Sequence, residues 1–198
     1  MFPRFRAPET MTAAEQAALL KATAAHPAPR DHALYSMALG TGLRLSELLG
    51  LNVGDVSLDG REARRRVVLD PATTKGGRRG EVFLPERLVP KLRRFLAWKR
   101  EHGESVEAGA PLFVSNRGAR LSPRAAQWRF AWWQRRAGFD RRYNFHSMRH
   151  SAITNLYRAK HDLFLAQRFA RHASPLTTIV YTHPADEELY EGIRGLPC

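Results

Sequence analysis

The stretch from Asn144 to His183, NFHSMRHSAITNLYRAKHDLFLAQRFARHASPLTTIVYTH, holds arginine, histidine and tyrosine at spacings that could do chemistry. His146 and Arg149 lie three residues apart, so on a helix they share a face, and His172 and Tyr181 follow. A tyrosine hydroxyl titrates at about pH 10 and is a poor nucleophile near neutrality, so it needs positive charge at the reacting centre or a base nearby. An arginine fork donates two parallel hydrogen bonds to a phosphate, and a histidine moves a proton near neutral pH. Attack of Tyr181 on phosphorus is therefore one reading. The other is that HSMRHSAITNLY is an ordinary amphipathic helix with Ile153, Leu156 and Tyr157 inward, and that Tyr181 is a core aromatic. Taken alone, the stretch leaves both open.

Length and charge bound the partner. The 198 residues suffice for one domain with a sizeable core. A formal net charge of +13 points to a polyanion, with nucleic acid the first candidate. Most of the positive charge is arginine, with lysine only at Lys21, Lys75, Lys91, Lys99 and Lys160. That bias suits bidentate phosphate contacts, and a GC-rich genome would produce it too. The one cysteine, Cys198, can build neither a disulfide framework nor a zinc site, and the expectation is a reducing, cytoplasmic compartment. No apolar run approaches the roughly 18 residues of a membrane span, and MFPRFRAPET lacks a signal-peptide core.

The elements that must position the cluster are legible in part. Residues 1–11 read as an extended arm. Thr12 with Glu15 makes a capping box for a helix that HPAP at 26–29 stops, and Pro29 opens a second helix through Leu39. After GTG at 40–42, Arg44 stands at the mouth of a helix carrying Leu45, Leu48 and Leu49. Its pairing with Glu47 is either a surface ion pair worth about 0.3–0.5 kcal/mol or a device that orients Arg44 for a ligand. Val53–Leu58, Arg65–Leu69 and Gly80–Leu84 read as three short strands of an antiparallel sheet, the last two joined by TTKGGRRG with Lys75 at its tip. A basic helix spans Arg87–His102. Ser122 caps the next helix, with Pro123 at its first position, and this helix runs to Gly138. Ala126, Phe130, Trp133 and Ala137 form its core stripe, while Arg124, Gln127, Gln134 and Arg135 form a polar face with the donor set of a major-groove reader. Trp128 and Trp132 make a second apolar stripe, so both flanks are expected to pack. Ser174 and Pro175 start the helix expected to carry Tyr181, and Leu189, Ile193 and Leu196 mark a short amphipathic tail.

Together these pieces resemble the catalytic domain of the tyrosine recombinases, the phage integrase family. Six separated positions agree in order between Thr12 and His183. TGLRLSELLGL resembles the first arginine motif, with Arg44 as a phosphate clamp and Glu47 as its acidic companion. TTKGGRRGEVFLP is similar to the hairpin of the catalytic lysine, which falls on Lys75, with Arg78 and Arg79 as further DNA contacts. FHSMRH matches the His-x-x-Arg box through His146 and Arg149, and RHASPLTTIVYTH matches the closing box through His172 and Tyr181. The chain departs from the family where Leu-Gly-His is usual: Ala170 and Arg171 precede His172, so Arg171 is expected to alter the His172 geometry or add a phosphate contact.

The resemblance implies an α+β fold, mainly helical with a small three-stranded antiparallel sheet, forming one catalytic domain over 12–198 with the N-terminal core-binding domain absent. It implies that Tyr181 attacks a DNA phosphodiester to give a 3'-phosphotyrosine and a free 5'-hydroxyl, without metal, ATP or other cofactor. Arg44 and Arg149 would hold the non-bridging oxygens, His172 would donate a further bond, Lys75 would protonate the leaving oxygen and His146 would assist the tyrosine. The implied partner is double-stranded DNA, with a monomer in solution assembling into a tetramer on two duplexes through the 189–196 tail. Two alternatives share the residues: relaxation of the type IB topoisomerase kind, and a regulator that binds DNA without cutting it. His150 reads as a structural histidine, and His26, His32, His102, His161 and His183 as surface or packing residues without metal-site spacing.

Overall fold

The structure is a computed structural model, and it describes residues 9–26, 28–69, 80–181 and 193–194. Its centre is a helix, α2 (Pro29–Thr41), whose residues Ala33 to Ala38 are all buried. So apolar a helix must be covered on several sides. Around it pack α1 (Ala13–Ala25), α5 (Val89–Glu101) and α7 (His146–Lys160), with α3 (Leu45–Gly50) following directly. The expected caps form. The Thr12 hydroxyl accepts from the Glu15 N–H while the Glu15 carboxylate accepts from the Thr12 N–H, and Pro29 occupies the first turn of α2.

Asp31 ties α2 to α6 (Pro123–Arg136), the helix capped by Ser122. Its buried carboxylate accepts from Arg129 Nε and Trp133 Nε1, each at 2.6 Å, and from Arg30 Nε at 3.3 Å. A buried carboxylate without such donors would cost several kcal/mol, on the order of 3–5, so this cluster fixes the angle of α6. Phe130 and Phe145 pack against the Tyr35 ring in the same layer.

The sheet departs from expectation. Among the described residues it has two strands, β1 (Arg66–Leu69) and β2 (Gly80–Phe83), antiparallel with Arg66 opposite Phe83 and Leu69 opposite Gly80. The segment read as the first of three strands instead opens as a helical turn, α4 (Val53–Val56). Asn52 and Asp55 are the reason: the Asp55 carboxylate accepts from the Asn52 N–H at 2.8 Å, a capping interaction that needs helical spacing. Val53 and Val56, three apart, are then both buried, and only a single bridge, Ser57 to Ala63, keeps strand character.

Beyond α7, His161 adopts a left-handed conformation (φ 50°) and breaks the helix; Asp162 caps α8 (Leu163–Ala170) by accepting from the Leu165 N–H. The closing helix, α9 (Leu176–Ile179), is a single turn, so Tyr181 stands just past its end rather than within it. Of the amphipathic tail, Ile193 is exposed, while Leu189 and Leu196 lie outside the described residues.

Candidate active site

The two arginines arrive from different elements and meet through backbone. Gly42 ends α2 with φ 60°, and a Cβ there would lie 2.9 Å from the Phe169 ring, so both its conformation and its space require glycine. The turn it makes presents Arg44 as the N-cap of α3. Arg149, in the first turns of α7 and 3% exposed, donates from Nη1 to the Gly42 carbonyl and from Nη2 to the Ala170 carbonyl, each at 2.5 Å. These bonds clamp the α2–α3 turn to the end of α8. A guanidinium has five N–H groups, so the clamp leaves Arg149 donors for an anion. Burial first, then Arg44 and Arg171, push its pKa down to about 10, still far above neutrality.

Glu47 organises the second arginine, and it is not at the surface. It is 1% exposed, and its carboxylate accepts from the Arg44 N–H (2.7 Å), Arg44 Nη1 (3.1 Å) and Arg171 Nη2 (2.6 Å). Of the two roles open for the Arg44–Glu47 pair, orientation of Arg44 is the one the packing supports. Arg171 itself caps α8 in the left-handed conformation (φ 54°), where glycine would be unstrained. Its side chain turns inward to Glu47 and lies against Gly80, the first residue of β2, so the strand end that follows residues 70–79 borders the site. Arg171 Nη1 is buried without a hydrogen-bond partner among the described residues.

The tyrosine and histidines complete the cluster. Tyr181 is buried, with its ring 6.1 Å from that of His172. Burial raises its pKa, while Arg149 and Arg44 oppose the rise. His172 Nδ1 lies 2.9 Å from the hydroxyl of buried Thr178. When that hydroxyl donates, Nδ1 accepts and Nε2 carries the proton, the form of imidazole that donates to a phosphate oxygen. Burial and the surrounding Arg149, Arg44, Arg171 and His146 push the His172 pKa down to about 4, so the ring is neutral at pH 7.

His150 is the residue that sequence reasoning assigned to packing alone. Its Nδ1 is 2.5 Å from the Tyr181 hydroxyl, and its ring is 4.4 Å from that of His146, edge to face. The signal was present: His150 is four residues after His146, so the two histidines share a helical face with Arg149. His146 instead lines a cleft with Leu43, Leu45, Gln127, Asn144, Phe145 and Arg149, which joins Arg149 to the exposed side of α6.

On that side, Arg124, Gln127 and Arg135 are exposed as expected. Gln134 is not; it is 2% exposed, donates to the Tyr143 carbonyl at 3.0 Å and accepts from the Tyr143 N–H at 2.7 Å. The connection from α6 to α7 folds back over the end of α6 and covers this position, which removes Gln134 from any groove-reading face. The tryptophans also separate. Trp132 is half-buried beneath the Arg136 guanidinium, whereas Trp128, expected to pack, is 63% exposed beside Gln127. Lys75, Arg78 and Arg79 lie outside the described residues. Among the described residues no three His, Cys, Asp or Glu side chains converge as metal ligands, and no helix is long and apolar enough to cross a membrane.

A mainly helical domain with a small antiparallel sheet, and a buried tyrosine ringed by arginine and histidine from three helices and their ends, defines a recognisable class of catalytic domain. Residues 9–188 match the phage integrase family, and the chain belongs to that family. It is 38% identical over 155 residues to a tyrosine recombinase XerC of Neisseria meningitidis serogroup C, covering 78% of this chain and 47% of the relative. A XerC of Actinobacillus pleuropneumoniae serotype 7 is 32% identical over 179 residues, covering 90% of this chain and 55% of its own. The chain thus spans about half the length of the curated relatives it matches. Among solved structures, XerA recombinase superposes with a TM-score of 0.79 at 27% identity, over 98% of this chain and 67% of that one. A post-cleavage complex of the XerH site-specific recombinase with palindromic difH substrate gives 0.77 at 25% identity, over 96% and 54%.

Proposed function

We propose that this chain is the catalytic unit of a site-specific DNA recombinase that cuts and rejoins double-stranded DNA through Tyr181. The observation that carries the reading is a buried tyrosine hydroxyl held by a histidine, close enough to Arg149 and Arg44 for their charges to act on it. In-line attack of the Tyr181 oxygen on phosphorus forms the O–P bond and breaks the bond to the 5'-oxygen, leaving a 3'-phosphotyrosine. Negative charge gathers on the two non-bridging oxygens, where Arg149 and the Glu47-oriented Arg44 supply preorganised donors. Neutral His172, with Nδ1 engaged by Thr178, adds an Nε2 donor. Lys75 is the assigned acid for the leaving 5'-oxygen on the strength of its sequence position.

One phosphate ester replaces another, so the bond energy is kept and ATP is not needed. Attack by a 5'-hydroxyl from another duplex completes recombination, for which four copies on two duplexes are required. The DNA lies along the cleft between α6 and Arg149, with Arg124, Gln127 and Arg135 toward it. The relatives and structures named above are recombinases, which favours strand exchange over simple relaxation. A test uses two differently labelled duplexes, each carrying a cognate recombination junction. Hybrid products that need Tyr181 support the reading; relaxation of a supercoiled plasmid lacking the junction, with no hybrids, would replace it.

A further inference from the structure

We propose that His150 is a catalytic residue of this reaction, taking the Tyr181 proton as the tyrosine attacks. The proposal rests on the reading of Tyr181 as nucleophile and deepens it. The His-x-x-Arg pattern draws attention to His146, but the contact belongs to its neighbour. His150 Nδ1 is 2.5 Å from the Tyr181 oxygen, while His146 makes no hydrogen bond to Tyr181 among the described residues and faces the cleft instead.

The Tyr181 O–H bond breaks, its electron pair forms the bond to phosphorus, and the proton moves to His150 Nδ1, giving an imidazolium. The bond from phosphorus to the 5'-oxygen breaks, and that oxygen takes a proton from the acid assigned to Lys75. In the rejoining step a 5'-hydroxyl attacks the phosphotyrosine, and the imidazolium returns its proton to the departing Tyr181 oxygen. One residue thus serves as base in cleavage and acid in ligation.

The surroundings suit that cycle. Accepting at Nδ1 requires a neutral ring with the proton on Nε2, and His150 is half-buried beside His146, Arg149 and His172, which with burial disfavour its charged form. A phosphate drawn between Arg44 and Arg149 brings negative charge that offsets the Arg149 cation, so the ring becomes more basic as the reacting complex assembles. The Tyr181 proton therefore has an acceptor at the moment it must leave.

The test measures single-turnover formation of the protein–DNA adduct on a nicked duplex by the full chain and by H150A, H150Q, H146A and K75A. Each is run with an ordinary 5'-oxygen leaving group and with a 5'-bridging sulfur, which departs without protonation. H150A and H150Q are expected to lose about 10²-fold or more in rate while still binding the duplex. The sulfur should restore K75A and leave H150A slow, and added imidazole should recover part of the H150A rate. H150A or H150Q within about threefold of the native rate, or H150A restored by the sulfur, would overturn the proposal; such changes are small against the 10²–10⁴-fold expected of a general base. If the native chain forms no adduct, the nucleophile reading itself fails; native adduct with fast H150A sinks only the role of His150. H150Q keeps the volume of the ring and an acceptor, so a folded but slow H150Q separates proton uptake from packing.

Discussion

Replacing Glu47 with glutamine should both destabilise the chain and slow DNA cleavage. The carboxylate is 1% exposed and accepts three hydrogen bonds from Arg44 and Arg171, two of them from guanidinium groups. Glutamine keeps one oxygen, so at least one of these donors meets an NH2 group and both arginines lose their counter-charge. Removing one member of a buried ion pair costs about 3–5 kcal/mol. The arginine side chains are 28% and 17% exposed, so water compensates them in part, and a loss of about 2–4 kcal/mol is expected. For a domain of this size that lowers Tm by about 5–15 °C. Urea unfolding of the native chain, E47Q, R171G and the double variant would measure it. R171G removes one cation but also relieves left-handed strain of about 1–2 kcal/mol, so alone it should change little. The coupling between positions 47 and 171 should be about 1–3 kcal/mol. A change below about 0.5 kcal/mol for E47Q, the range of ordinary surface substitutions, would refute the argument that Glu47 is the buried bridge.

Two further outcomes follow from the same structure. His150 and His172 both titrate at about 4 in the folded chain against an ordinary 6.5. The unfolded chain therefore binds protons first as pH falls from 6.5 towards 4, so stability present above pH 6.5 is lost across that window; urea midpoints between pH 7 and 4 should show the fall, and it should flatten in H150Q and H172Q. On α6 the polar residues should separate by role. R124A with R135A should lower the slope of log affinity against log salt by about 2 with unfolding unchanged, read by DNA titration over a salt series. Q134A should do the reverse, leaving the slope and costing about 1–3 kcal/mol because the Tyr143 backbone groups lose buried partners.

Much of the scaffold was readable because its signals are local. Thr12 with Glu15, Pro29, and Ser122 with Pro123 each satisfy orphan backbone groups within one turn, and all three start helices where expected. Spacing and resemblance single out Arg44, Glu47, His146, Arg149, His172 and Tyr181, and the fold brings these side chains into one region. The misses depend on what lies on top of a residue. Gln127 and Gln134 are seven apart and share a helical face, yet the α6–α7 connection covers only the second. Trp128 and Trp132 differ in the same way, one open and one roofed by Arg136. Val53–Val56 had apolar residues compatible with either period, and the Asn52–Asp55 cap decided for a helical turn. The His150 contact is not legible locally, because its partner, Tyr181, is 31 residues away and reaches it only through the turn after α8.

Everything proposed for the site depends on Tyr181 being the nucleophile that attacks phosphorus. The most direct measurement incubates a nicked suicide duplex carrying a cognate recombination junction with the native chain and with Tyr181→Phe, then resolves the products on a denaturing gel with the adduct mapped by mass spectrometry. A covalent complex attached at Tyr181 through a 3'-phosphate is expected for the native chain, and none for the phenylalanine variant. An adduct that persists in Y181F, or none from a native chain that binds the same duplex, would contradict it.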